Sequence, residues 1–350
     1  MSVGKTRNLL IVPVFIPSQG CPFRCIYCDQ EKITGQSKTS VDRDFVRQIL
    51  DKAVESVRFS SRSRREVAFY GGTFTSLPIT KMIELLEAVH PYLRQGLFES
   101  IRVSTRPDKI DKERLEFMKS FGVSTVELGA QSMDKEVLRL SKRGHTPGDT
   151  ISSVHLLREY GYHVGIQLMP GLPGDCEDIF LRTIEKVINL RPDMVRLYPA
   201  IVIRGTELAK WYLEKRYQPL TLKNAVRLCQ ESCIRLEKEG IPVIRIGLMS
   251  SPSLLQEGFI VAGPWHTAFG FLVRSGIFQK RIEGYLPKAG EAAEIGIRVS
   301  GGEIPLVRGY KNQGLRLIEK KTGAKITYIK PDDSVPSMQI QVDRLDNDRD

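Results

Sequence analysis

No stretch of this 350-residue chain approaches the roughly 20 consecutive apolar residues that cross a bilayer, so no membrane association is expected. The opening Met1-Ser2-Val3-Gly4-Lys5-Thr6-Arg7 leads into an apolar run that is short and broken by Pro13 and Pro17; a secretory signal pattern is missing too. Cysteines are few, and three of the six crowd between Cys21 and Cys28. Without an export signal, that clustering fits free thiols in a reducing cytoplasm rather than a disulfide framework. Gly4-Lys5-Thr6 imitates the end of a phosphate-binding loop, but the earlier glycine and the preceding strand are lacking, which excludes a P-loop. Internal repeats beyond a β-α alternation are absent, as are low-complexity segments.

What is present is the composition of a globular protein, long enough for one large domain with an appendage or for two domains. The net charge of +11 favours an anionic partner such as nucleic acid. Many cytoplasmic proteins are basic for solubility alone, so the distribution matters more than the total. Between Arg298 and Lys330 lie Arg308, Lys311, Arg316, Lys320, Lys321 and Lys325, opposed by Glu303 and Glu319. The acidic-basic end, Asp343 to Asp350, is expected to be a disordered tail.

Over the first two thirds, apolar runs alternate with amphipathic stretches. Strands are expected at Leu9–Ile16, Glu66–Tyr70, Ser100–Ser104, Thr125–Leu128, His163–Leu168 and Met194–Tyr198, with helical patterns between them. Gly122 and Gly161 end helices just before strands. Repeated β-α units imply a parallel α/β sheet with right-handed crossovers. Six such units suit a partial, TIM-type (β/α)6 barrel, whose chemistry gathers at the C-terminal ends of its strands. A seventh apolar run, Pro242–Leu248, follows a long helical pattern, and Ser250-Ser251-Pro252-Ser253 then breaks the alternation. The expected division is a barrel over 1–250, a barrel-closing or substrate-side segment over 251–290, a small basic α+β module over 291–342 and the tail over 343–350.

The cysteine cluster reads Cys21-Pro22-Phe23-Arg24-Cys25-Ile26-Tyr27-Cys28, a C-x3-C-x2-C spacing directly after the first expected strand. Three thiolates can hold three irons of a 4Fe-4S cube, where a fully protein-held cluster uses four cysteines. The fourth iron is then open to a substrate or cofactor. A structural zinc site is the alternative, but it needs a fourth ligand, and none stands at a usual spacing. The spacing, with Tyr27 before Cys28, resembles the signature of the radical S-adenosylmethionine (SAM) enzymes. That resemblance implies a partial barrel in which the methionyl amine and carboxylate of SAM chelate the open iron. It also implies one-electron cleavage of SAM to methionine and a 5′-deoxyadenosyl radical, with an electron donor such as flavodoxin or ferredoxin.

The strand ends carry further candidates. Tyr70-Gly71-Gly72-Thr73 closes the second strand; glycines let a bound molecule meet the backbone, although an ordinary β-α turn uses them as well. In the radical SAM family a Gly-Gly pair here contacts the SAM amino group, and Thr73 stands where many members place an acidic residue. Ser104, Arg106 and Asp108 end the third strand and suit the ribose hydroxyls and carboxylate of SAM, or helix capping. Glu127 interrupts an apolar strand and needs a partner if it points into a barrel; Gln131 lies on the rim beyond it. Gln167 is a second polar group in a buried strand, and the Pro170-Gly171-Leu172-Pro173-Gly174 turn after it lies, in the family, against the adenine.

Arg106-Pro107-Asp108, Glu127 to Ser132, Arg143-Gly144-His145-Thr146 and the run from Tyr198 to Leu208 resemble the catalytic subunit of Elongator, which modifies the wobble uridine of transfer RNA. This places His145 and Tyr198 among the site residues, His145 in a catalytic role. The resemblance covers about residues 8 to 220; after Leu220 no coenzyme-A phosphate loop of the Q/R-x-x-G-x-G/A kind occurs. His266 can hydrogen-bond a substrate or the chain itself. Cys229 and Cys233, four apart on an expected helix, are buried thiols or, with Cys176, ligands of a second cluster. Val307 to Ile326 resembles the core of a KH RNA-binding domain, whose G-x-x-G loop grips a nucleic-acid backbone. Here the loop is Gly309-Tyr310-Lys311-Asn312, with Asn in place of the second glycine; a plain β-α-β-β cap with a solvated basic helix fits the pattern equally.

The expected function is therefore a radical SAM enzyme acting on RNA, in particular a tRNA nucleoside. The alternatives are a radical SAM enzyme acting on a small anionic metabolite such as a porphyrin precursor, and a non-catalytic RNA-binding protein with a structural cluster. The Gly71-Gly72 and Ser104-to-Asp108 segments oppose the last, since a structural cluster needs no SAM pocket.

Overall fold

The computed structural model describes residues 9–34, 41–248 and 251–345. They form two compact units: the chain up to Leu228 with Arg235–Thr267, and Cys229–Ile234 with the chain from Ala268 onward. The division at Thr267/Ala268 falls inside the segment expected over 251–290.

The first unit is built on strands β1 (Leu9–Phe15), β2 (Arg64–Tyr70), β3 (Ser100–Thr105), β4 (Val123–Gln131), β5 (His163–Leu168) and β6 (Met194–Leu197), followed by β7 (Val202–Ile203) and β8 (Val243–Ile246). All but β7 join one open sheet in chain order, every neighbouring pair parallel. The sheet is a seven-stranded half-barrel, not the six-stranded one expected. The apolar run before Leu248 supplies the extra strand, because the long helix Leu222–Lys238 returns the chain to the sheet like any other crossover. β7 instead pairs antiparallel with β9 (Ile260–Ala262).

The helices α1 (Gln30–Thr34), α2 (Arg43–Val54), α3 (Ile79–Arg94), α4 (Lys112–Ser120), α5 (Lys135–Leu140), α6 (Pro147–Glu159), α7 (Glu177–Leu190), α8 (Glu207–Leu213) and α9 (Leu222–Lys238) fill the connections. Their starts are chemically set. Asp42 accepts from Phe45 N at 2.8 Å, Asp111 from Arg114 N at 2.9 Å, and Thr146 with Asp149 forms a reciprocal capping box.

Strand register divides the sheet by residue parity. One face carries Val67, Phe69, Ile101, Val103, Val126, Leu128, Val164, Ile166, Leu168, Val195 and Leu197, all buried. The other carries Glu66, Tyr70, Arg102, Ser104, Glu127, Gln167 and Arg196. The helices cover the apolar face, so the polar face lines the inside of the half-barrel. No helix among the described residues is long and apolar enough to cross a membrane.

The second unit holds α10 (Phe269–Ile282), β10 (Glu294–Val299), α11 (Ile304–Arg308), α12 (Gln313–Thr322), β11 (Lys325–Pro331) and β12 (Gln341–Leu345). Its sheet has the order β11-β10-β12, with β10 parallel to β11 and antiparallel to β12. Phe278, Ile282, Ile295, Ile297, Val299, Val307 and Ile318 form its core. β12 runs across the expected start of the tail, so residues 343–345 are strand rather than tail; Asp343 is fixed there by Arg298 Nη2 at 2.6 Å and the Tyr328 hydroxyl at 2.7 Å. Residues 346–350 of the expected tail lie outside the described residues. Between α11 and α12 the backbone is left-handed at Gly309, Lys311 and Asn312, with φ of 66°, 50° and 61°. Asparagine tolerates that conformation better than any other residue except glycine, which accounts for Asn312 at the second glycine's place.

Candidate active site at the strand ends

The cysteine loop leaves β1 at Ile16, whose N–H donates to Tyr70 O at 2.8 Å. It then lies backbone to backbone on the Gly-Gly turn after β2. Thr73 N donates to Gln19 O at 2.8 Å, and a Cβ on Gly72, whose φ is +60°, would stand 2.3 Å from that same oxygen. The close approach that Gly72 permits is thus made by the chain's own cysteine loop. The Gln30 side chain, at the start of α1, locks the arrangement: its Oε1 accepts from Ser18 N at 2.6 Å and Gly72 N at 2.7 Å. Thr73 is buried and its hydroxyl lies 3.3 Å from Cys21 Sγ. Leu208 N, at the head of α8, donates to Ile26 O at 2.8 Å, which ties the Tyr198-to-Leu208 segment to the same loop.

Arg143 is the cation that meets a thiol of this loop. It is buried, donates from Nη1 to Cys25 Sγ at 3.2 Å and from Nη2 to Gly129 O. Left-handed Lys142 and Gly144 bracket it and turn it inward. A Cβ on Gly144 would lie 2.5 Å from the Phe23 ring, and the Arg106 guanidinium stands 4.9 Å from that ring's centre. Asp108 holds Arg106 through a 2.9 Å bond to Nε, so its carboxylate serves that guanidinium rather than a helix cap. Burial, reinforced by Cys25 and Cys21, pushes the Cys28 thiol up to about 12. Burial, with Arg143 and Arg106 next, holds His145 down at about 3. His145 is therefore a neutral ring at ordinary pH. Its Nε2 lies 3.2 Å from Ala130 O, where it donates, which leaves Nδ1 as an acceptor.

Deeper in the half-barrel the polar face is knitted together. Arg102 donates to Glu66 through Nε (2.9 Å) and Nη2 (2.6 Å), and to Glu127 through Nη1 (2.8 Å). Arg196 reaches the other side of Glu127 at 2.8 Å and donates to the hydroxyls of Tyr70 and Tyr198. Gln167 Nε2 donates to Gln131 Oε1 at 3.1 Å. Gln131 holds a left-handed φ of 66° at the end of β4. The turn after β5 is fixed by Asp175, which accepts from Gly171 N at 2.8 Å, and by the Tyr217 hydroxyl, which donates to Gly171 O at 2.6 Å.

The structure thus gathers Cys21, Tyr27, Cys25, Cys28, Gly71, Gly72, Thr73, Arg106, Gln131 and His145 around one loop. Glu127, Gln167 and Tyr198 lie on the inner face beside it, and Ser104 pairs in register with Glu127. Cys229 and Cys233 are fully buried on α9, Cys176 is exposed, and His266 is half-buried after β9. Among the described residues no three or more His, Cys, Asp or Glu converge on one metal ion; a 4Fe-4S cube makes a different demand, each thiolate binding its own iron. Sequence reasoning missed Gln30, Arg143 as a separate group, and the partners of Glu127. The rule that singled out Glu127, a charge inside an apolar strand, also fits Glu66, Arg102 and Arg196.

Residues 15–187 match the radical SAM superfamily and residues 192–278 the radical SAM C-terminal domain. The chain belongs to the radical SAM superfamily. A tRNA uridine(34) acetyltransferase of Dehalococcoides mccartyi is 32% identical over 233 residues, 57% of this chain and 50% of that protein. Elongator complex protein 3 of Homo sapiens is 29% identical over 272 residues, 65% of this chain and 49% of that protein. The archaeal Methanocaldococcus infernus Elp3 with an N-terminal deletion shares the fold: TM-score 0.59, 23% identity, 78% of this chain and 63% of that one. The chain spans about half the length of the first two relatives. As a radical SAM enzyme it uses a 4Fe-4S cluster and SAM. The site fits both. Three thiols share one loop, and Tyr27 Oη, Arg106 Nη2, Arg143 Nε and His145 Nδ1 are buried beside it with no hydrogen-bond partner. Buried polar atoms left unpaired are costly in a chain that is complete by itself.

Proposed function

We propose that this radical SAM enzyme modifies a tRNA nucleoside. Cys21, Cys25 and Cys28 hold the cluster's three protein-bound irons. With SAM at the open iron, the group supplies a one-electron cleavage of SAM and a hydrogen-abstracting 5′-deoxyadenosyl radical, the electron coming from a donor such as flavodoxin or ferredoxin. The protein's own share is placement. Arg143 and Arg106 carry donor atoms without partners and are the groups to receive the SAM carboxylate. The Gly71-Gly72-Thr73 backbone, pinned by Gln30, offers carbonyls to the amine. His145 stays neutral and accepts a hydrogen bond at Nδ1, so its role is orientation rather than proton donation. Ser104, Gln131, Gln167 and Tyr198 line the remaining wall, and Tyr27 closes the floor beside Cys28.

The observation that carries the substrate is the likeness to a tRNA uridine(34) acetyltransferase over 57% of this chain. The second unit supports it: a two-helix turn with three left-handed residues, flanked by exposed Lys311, Arg316, Lys320 and Lys321 over an apolar core. Acetyl transfer is no part of the proposal. The test is tRNA binding across a salt series for the wild type and for a variant neutral at those four positions. The variant should bind more weakly and show a flatter dependence on salt, because fewer phosphate contacts release fewer counterions. Equal slopes would remove the KH-like module from the reading. Absent binding in the wild type would move the assignment to a small anionic metabolite.

A further inference from the structure

Register puts the carboxylates Glu66 and Glu127 and the guanidiniums Arg102, Arg196 and Arg245 on the inner face of the half-barrel. Both carboxylates are taken: Glu66 by Arg102, Glu127 by Arg102 and Arg196. Arg245 is left over. It lies on β8 in direct register with Arg196 on β6, half-buried, and among the described residues it meets no carboxylate. Its Nε donates to Gly247 O at 3.3 Å. Gly247 follows the last residue of β8, so this guanidinium leans toward the C-terminal ends of the strands, where the cysteine loop and the Gly-Gly turn also stand. Arg196 already has its anion in Glu127, so Arg245 can draw on no carboxylate beside it, and a half-buried charge without a counterion is held at a cost. A guanidinium in that position is matched in shape and charge by an oxyanion.

We propose that Arg245, beside Arg196, is a subsite for an oxyanion of the substrate, a nucleotide phosphate. This rests on the half-barrel being the substrate chamber of a nucleotide-modifying enzyme. It adds a contact within that chamber, separate from the basic surface of the second unit.

The test uses anaerobically reconstituted holoenzyme with SAM. Phenylglyoxal labelling at Arg245, read by peptide mass spectrometry, is followed without addition and with uridine 5′-monophosphate, uridine or citrate. The monophosphate should slow labelling of Arg245 several-fold, uridine should not, and exposed Arg139 should label equally throughout. Protection by citrate but not by the monophosphate would overturn the phosphate and assign a carboxylate; protection by neither would overturn the subsite. In equilibrium dialysis, Arg245→Gln should weaken monophosphate binding at least ten-fold, and Arg245→Lys should recover part of it, both at unchanged iron content. Unchanged affinity in Arg245→Gln would again overturn the subsite. If the monophosphate protects Arg245 while the wild type binds no tRNA in the salt series, the tRNA reading falls and the subsite stands.

Discussion

The half-barrel turns an ionic network inward, and the second unit turns a row of basic side chains outward. Glu66, Arg102 and Glu127 are no more than 5% exposed, while the apolar side of the same strands packs under the helices. In the second unit Ile295, Ile297 and Val299 of β10 face a dry core, and Lys311, Arg316, Lys320 and Lys321 stand in solvent. A polar interior stabilises poorly, since desolvating paired ions offsets most of their attraction. Its presence marks a chamber that the apolar outer layer must support. A dry core with a basic exterior is an ordinary fold with a surface suited to salt-sensitive, long-range attraction.

The sharpest way to break this contrast is at the thiols, which occur in both units. Cys25→Ala should abolish iron binding in anaerobically reconstituted protein, where the wild type takes about four irons. Cys229→Ala, on the helix segment assigned to the second unit, should keep its full complement. An intact cluster in Cys25→Ala would undo the site. Next in size are the ion pairs. Glu127→Gln leaves Arg102 and Arg196 short of their shared anion, and losing one member of a buried network costs about 3–5 kcal/mol. Asp343→Asn in the second unit breaks a pair whose Arg298 side is 35% exposed, and should move the urea midpoint far less. Similar losses from the two variants would mean that the inner network is no more than surface electrostatics.

Gln30→Ala sharpens the contrast differently, because its polar contacts position rather than stabilise. Without the oxygen that bridges Ser18 and Gly72, iron should remain while SAM binds several-fold more weakly; Gln30→Glu, which keeps the acceptor, should recover most of the affinity. Unchanged SAM affinity in Gln30→Ala would leave the bridge without a role. Gly72→Val is a poorer probe, since its side chain would strike Gln19 O and shift the cysteine loop itself.

The local parts of this site were legible in the sequence, and the parts made by distant segments were not. Three cysteines within one loop announce themselves. Glu127 was visible as a charge in an apolar strand, but its partners come from β2, β3 and β6, and only the register brings them together. Gln30 carries no pattern, because its meaning lies in a backbone 42 residues away. The seventh strand was read as an apolar run yet left out of the sheet, since nothing local says on which edge a strand will pair. β12 was cut short because Asp343 and Arg344 look like tail residues until Arg298 and Tyr328 are placed beside them.

The smallest expected effect separates the units by the sign of their response to pH. Asp175 in the half-barrel is pushed up to about 7, burial outweighing its bond from Gly171 N. Asp343 in the second unit is held below the usual carboxylate range by its bonds from Arg298 and Tyr328. An unfolded aspartate titrates near 4. Between about pH 4 and 7 the folded state therefore keeps a proton on Asp175 that the unfolded chain has released, and stability falls as pH rises through that window. Asp343 acts oppositely: its contribution is full above about pH 4 and is lost as pH falls through its lowered folded value. Asp175→Asn, which stays neutral and can still accept from Gly171 N, should be more stabilising relative to wild type at pH 8 than at pH 5. Asp343→Asn should be destabilising at both and lose its effect only below about pH 4. Urea midpoints at the three pH values check both. A benefit of Asp175→Asn that did not grow with pH would show that its carboxyl is ionised in the fold, with water reaching the turn beneath Gly171.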